Sequence, residues 1–156
     1  MTQNKMGKRF FKQIFATNLG MIALISGCYP RAAKLNDKII NNDLKVEYRI
    51  NGFTVTSKET NVVYKYYSNL NQCSLEFDNR VYVDNKCDDI LDLAIVDNMY
   101  IYRNGNVYCK KHDHWLKNVP EFVKAIFEKA ESDYKLLKTG LRTDKASGNW
   151  KKKFSE

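Results

Sequence analysis

Between residues 44 and 109 the chain is cut into short runs of alternating apolar and polar residues by pairs of turn-forming residues, which leaves few folds open to it. Val46-Glu47-Tyr48-Arg49-Ile50 alternates before Asn51-Gly52, and Phe53-Thr54-Val55-Thr56 alternates after it. Asn-Gly is the strongest short hairpin signal because both residues tolerate positive φ. Alternation at period two gives a strand one buried face, here Val46, Tyr48 and Ile50, and one wet face. Val62 to Tyr67 reads as the next strand, and Ser74 to Phe77 and Arg80 to Val83 flank Asp78-Asn79. Leu93 to Val96 is a short apolar strand. Met99 to Arg103, Asn104-Gly105 and Asn106 to Cys109 make a second Asn-Gly hairpin. The similarity of Asp78–Val83 to Asp97–Tyr102 is shared hairpin grammar rather than an internal repeat. Ten tyrosines and eight phenylalanines fit this reading, since aromatic side chains favour strands.

One helix follows the strands. Asn118 stands as its cap with Glu121 three residues on, a capping-box arrangement, and Pro120 is tolerable in the first turn. Val119, Phe122, Val123, Ile126, Phe127, Ala130, Tyr134 and Leu137 form one stripe at helical spacing. Gly140 is the expected stop, with Lys135 and Lys138 in the last turn, where the helix dipole favours cations. Beyond it periodicity is lost, and residues 142–156, ending in Trp150-Lys151-Lys152-Lys153-Phe154, read as a flexible basic tail. The fold expected is α+β: a small antiparallel β-meander packed against one C-terminal amphipathic helix.

The first 28 residues are of another kind. Lys5, Lys8, Arg9 and Lys12 precede an apolar run from Ile14 to Gly27 that only Thr17, Asn18 and Ser26 interrupt, and no acid occurs before Asp37. This is the layout of a secretory signal, and the run falls short of the roughly 20 apolar residues a transmembrane helix needs. It ends in Ile25-Ser26-Gly27-Cys28, which resembles the lipobox of bacterial lipoproteins. The resemblance covers these 28 residues and none of the domain behind them. It departs from the usual motif in having Ile25 where leucine is common and Asn18 within the apolar run. It implies cleavage between Gly27 and Cys28 and a diacylglycerol on the sulfur of Cys28, a thiolate being the best side-chain nucleophile for alkylation. Tyr29 after the cysteine, where aspartate would favour inner-membrane retention, leans towards the outer membrane. Either Met1 or Met6 opens a sound signal. The expected organisation is a signal peptide at 1–27, a tether at 28–43, one α+β domain at 44–141 and the basic tail at 142–156.

Charge narrows the partners. The chain carries a formal +8 from 26 basic and 18 acidic residues. Four of the basic residues lie in the signal and five, with two acids, in the last fifteen residues, so the body from Cys28 to Leu141 is near neutral. Nucleic-acid binding wants a basic patch on the fold itself, so this distribution argues against it. With Cys28 lipidated, Cys73, Cys87 and Cys109 remain. In an oxidising envelope two of them pair. Cys73–Cys87, closing a 15-residue loop around one hairpin for about 3 kcal/mol, is favoured over Cys87–Cys109.

No complete catalytic or cofactor motif is present. His112-Asp113-His114 holds both histidines of the chain and could offer zinc donors or a general base, but no third separated ligand or nucleophile partners it. Asp84, Asp88, Asp89 and Asp92 cluster oxygens as calcium prefers, without the alternating acids and central glycine of an EF-hand loop. The expectation is a membrane-anchored envelope lipoprotein acting on an envelope protein partner as a binding module rather than an enzyme. Small phage- and plasmid-borne lipoproteins resemble this plan in size and layout. Two rivals stand beside it: a periplasm-facing hydrolase or metal binder using His112, Asp113 and His114, and a cytosolic protein whose basic tail binds nucleic acid.

Overall fold

The computed structural model describes residues 32–119 and 121–154. The signal segment, Gly27, Cys28, the start of the tether and Pro120 lie outside them. Nine strands, β1 (Leu44–Arg49), β2 (Gly52–Ser57), β3 (Val63–Tyr67), β4 (Gln72–Phe77), β5 (Arg80–Asp84), β6 (Leu93–Val96), β7 (Met99–Tyr102), β8 (Val107–Cys109) and β9 (His114–Trp115), form one antiparallel sheet in sequence order. The α+β meander expected from the alternation is therefore the architecture observed.

Register explains how the alternation becomes a core. Val46, Val55, Tyr64, Leu75, Tyr82, Ala94, Ile101 and Val107 stand opposite one another from β1 to β8 in a single cross-sheet row. All but Val46 are buried. A slip of one residue in any strand would turn its whole set outward. Two tight turns fix that register. Asp78-Asn79 and Asp97-Asn98 have positive φ at both positions, the geometry whose twist matches the flanking strands.

The two Asn-Gly pairs behave differently from expectation. Arg49 pairs with Gly52, so the first turn is Ile50-Asn51 and the glycine belongs to β2. A Cβ on Gly52 would lie 1.8 Å from the Tyr66 carbonyl oxygen, so close approach of β3 requires glycine there. Ile50, expected on the buried face, is in consequence a turn tip with 74% exposure. The second pair sits in a three-residue loop. The Tyr102 N–H donates to the Asn106 carbonyl and the Gly105 N–H to the Tyr102 carbonyl, both at 2.9 Å, with Gly105 at φ +85°.

Three helices cover the row of buried side chains. Residues 32–40 form α1, where a tether was expected. Ala32 and Ile39 are buried, so this segment is part of the domain. The amphipathic helix α2 (Glu121–Gly140) buries Val123, Ile126, Phe127, Ala130, Tyr134 and Leu137, six of the eight residues of the stripe read from the sequence; Phe122 is half-buried and Val119 lies before the helix. Its end is displaced. Gly140 is still helical and the left-handed residue is Arg142, at φ 53°. Gly140 instead admits α1, because a Cβ there would meet Asn36 Oδ1 at 2.0 Å.

The expected tail is the third helix, α3 (Thr143–Phe154). Its apolar face is thin, with only Ala146 and Trp150 joining Thr143 in burial, and Gly148 and Asn149 are weak helix formers. Docking holds it instead. Trp150 packs edge-on against Tyr66 at 5.4 Å between ring centroids, and its Nε1–H donates to the Arg49 carbonyl at 2.8 Å. The domain therefore runs past residue 141 and through the basic segment.

Candidate functional site

The helices cover one face of the sheet. On the other, charge collects over the first four strands, where Lys45 pairs with Glu47 and Lys65 with Glu76, both at 2.7 Å. Across β5 to β9 the same face turns apolar. Val81, Ile95, Tyr100, Tyr108 and Trp115 stand in one cross-strand row. Rings of Tyr108 and Trp115 lie 5.4 Å apart, Tyr102 and Trp115 5.6 Å, and Tyr100 and Tyr108 5.9 Å. Trp115 is 55% exposed. It sits on β9, a two-residue strand too short for periodicity to reveal in the sequence.

His112, Asp113 and His114 border this surface. His112 closes a 3₁₀ turn, Lys110–His112, and Asp113 follows in the left-handed region at φ 50°. The Tyr108 hydroxyl donates to the Asp113 carboxylate, and that bond, with the carboxylate's charge, holds the phenol above its ordinary pKa. The two imidazoles are 5.9 Å apart, His112 on the exposed turn and His114 half-buried at the start of β9. Asp113 is thus drawn to a tyrosine. Among the described residues no three His, Cys, Asp or Glu side chains converge as a metal site.

The four aspartates also do separate jobs. Asp84 is fully buried and accepts hydrogen bonds from the backbone N–H groups of Lys86 (3.2 Å), Asp88 (3.2 Å) and Asp89 (3.0 Å) and from the Tyr134 hydroxyl (3.1 Å). Asp88 accepts from the Ile90 N–H and Asp92 from the Asn85 N–H. Asp89 pairs with Lys138. The carboxylates of Asp84, Asp88 and Asp92 thus serve their own loop as caps for backbone donors, and that of Asp89 reaches α2. Parity in β5 carried the signal for Asp84: with Arg80 and Tyr82 it occupies the inward positions of that strand.

Cys73 and Cys87 stand at disulfide distance, 2.06 Å between sulfurs, while Cys109 is free and half-buried. The Tyr64 hydroxyl donates to Cys73 Sγ at 2.7 Å. Burial first, and then the charges of Asp84 and Asp89, push the Tyr64 phenol far above its ordinary range. Tyr134 is raised in the same way, by burial and then by Tyr64 and Asp84. Both phenols therefore serve as neutral donors. Lys138 lies over their rings, 5.8 Å from Tyr64 and 5.7 Å from Tyr134.

Arg103, which the sequence left unremarked, ties the sheet to α2. Its Nε–H donates to the Leu91 carbonyl at 2.7 Å, its guanidinium pairs with Glu131 at 2.5 Å, and it lies 5.6 Å over the Phe127 ring. No family model, curated protein or solved structure matches the chain.

Proposed function

We propose that this chain is a lipid-anchored protein of a bacterial envelope, acting as a binding module towards an envelope protein partner. The observation that carries the reading is the charged start, short apolar run and Ile25-Ser26-Gly27-Cys28 exit of the first 28 residues. A pair of cysteines at disulfide distance is in keeping with an oxidising compartment. Among the described residues no helix is long and apolar enough to cross a membrane, and in this reading the acyl chains on Cys28 supply the attachment. Two or three acyl chains hold a domain stably where one is marginal. Binding rather than hydrolysis is favoured by the open sheet face. Its Tyr and Trp cluster is the residue type that dominates interface energetics, whereas His112 and Asp113 lie on an exposed turn beside it.

Intact mass of the membrane fraction from bacteria expressing wild type and Cys28→Ala is the test. The expected wild-type product lacks residues 1–27 and carries a lipid-sized increment, and the variant lacks both changes. An unprocessed, lipid-free wild-type chain in the soluble fraction overturns the proposal.

A further inference from the structure

In a meander every second turn falls at the same end of the sheet. The segments 50–51, 68–71 and 85–92 share one end and touch: the Ser68 N–H donates to the Asn51 carbonyl at 2.9 Å, and Gln72 Nε2 to Asn85 Oδ1 at 2.7 Å. Each carries an exposed aliphatic side chain, Ile50 at 74%, Leu70 at 61% and Ile90 at 45%. Turns are normally polar, and these three successive apolar tips at one end lie outside the core cluster of the described residues.

Cations surround the tips. Arg49 precedes the first, Lys86 lies in the third, and Trp150, bonded to the Arg49 carbonyl, brings the exposed Lys151, Lys152 and Lys153 to the same region. Acids are present as well, each with a partner within the chain, and Asp88 and Asp89 stay exposed beside Ile90. Glu47 pairs with Lys45 and, at 3.8 Å, with Arg49, Asp89 pairs with Lys138, and Asp88 and Asp92 cap backbone N–H groups. The cations Arg49, Lys86, Lys138, Lys151, Lys152 and Lys153 outnumber the acids Glu47, Asp88, Asp89 and Asp92, and apolar tips at a net-basic end complement an anionic phospholipid surface: the tips enter the acyl boundary and the lysines meet the headgroup charge. The Cys73–Cys87 link fastens the third segment to β4, so the tips are held in place before contact and little ordering is lost on docking.

We infer that this end of the sheet docks on anionic phospholipid, with Ile50, Leu70 and Ile90 inserted and Arg49, Lys86 and Lys151–Lys153 on the headgroups. The inference deepens the membrane attachment proposed above and rests on that reading for its setting, but not on lipidation of Cys28.

The test uses the full chain carrying Cys28→Ala, cosedimented with vesicles of phosphatidylglycerol or of phosphatidylcholine alone. The apolar segment at 14–27 is common to every variant, so differences report on the domain. Expected is salt-sensitive preference for phosphatidylglycerol, lost by roughly tenfold or more in Ile50→Ser/Leu70→Ser/Ile90→Ser. Lys151→Gln, Lys152→Gln and Lys153→Gln should each lower binding roughly fivefold. Leu70→Trp should be quenched by brominated lipid. Unchanged near-ultraviolet circular dichroism confirms that the variants fold. Binding by the triple serine variant equal to that of its parent, or equal binding to both lipids, overturns the inference. So does a change of oligomeric state in the serine variant with vesicle binding intact, which would assign the tips to a second copy of the chain. Unprocessed Cys28 in cells together with tip-dependent vesicle binding would remove the anchor and leave this docking site standing.

Discussion

Asp84 concentrates the polar chemistry of the core in one side chain. Three loop N–H groups and one phenol converge on it inside the protein, and a buried carboxylate is tolerated only when donors take the place of water. Asp84→Asn keeps the shape but turns an NH₂ group towards N–H donors. We expect a loss of about 2–4 kcal/mol in urea unfolding, and a variant as stable as wild type would show that the loop does not depend on this carboxylate. Glu131 reports on pH. Burial raises its pKa, but the hydrogen bond and charge of Arg103, with Lys135 behind them, outweigh burial and hold it below the ordinary 4.5. A carboxylate with a depressed folded pKa adds stability that is present above its unfolded pKa and is lost as pH falls through the folded one. Glu131→Gln should therefore melt below wild type at neutral pH, with the gap closing as pH drops beneath 4.5; a gap independent of pH would assign the effect to packing alone.

Among the elements, legibility followed signal strength. Strands from β1 to β8 were readable because alternation and turn pairs agree, and α2 because one stripe runs its full length. Others were decided by tertiary contacts that leave little trace in local sequence. Helix α3 has two buried apolar residues in twelve, below what periodicity can detect, and it forms because Trp150 finds Tyr66 and the carbonyl of Arg49. Strand β9 is two residues long. Gly52 was read as a turn former when close approach of Tyr66 is what demands it. Removing the anchor of α3 tests this account. Trp150→Ala should cost about 3–5 kcal/mol and raise amide exchange from residue 143 onward; a stability within 1 kcal/mol of wild type, an order-of-magnitude bound on surface substitutions, would sink it.

At the scale of the whole molecule the asymmetry of the sheet dominates: among the described residues one face lies under helices and the other is open. The two tryptophans sample the two sides, Trp150 at 8% exposure and Trp115 at 55%. Acrylamide should quench Trp115 strongly and Trp150 weakly, so Trp115→Phe removes the quenchable, red-shifted part of the emission. Strong quenching that survives in Trp115→Phe would mean that α3 does not cover its face. Little of the candidate surface was legible beforehand. Sequence flagged His112, Asp113 and His114 by their donor chemistry, whereas the aromatic row exists only once register brings Tyr100, Tyr108 and Trp115 into line.

The order in which this sheet is written along the chain has a consequence for how it is made. Every strand pairs with its sequence neighbour, so a chain emerging from its amino end can zip one hairpin onto the last as each arrives. The face that becomes the core gains no such early cover. It waits for α2, and over β1 and β2 for Trp150, whose bond to Arg49 spans 101 residues. Nascent chains should thus pass through a fully paired but half-naked sheet, and a chain cut before Trp150 would keep β1 and β2 bare, prone to stick to one another.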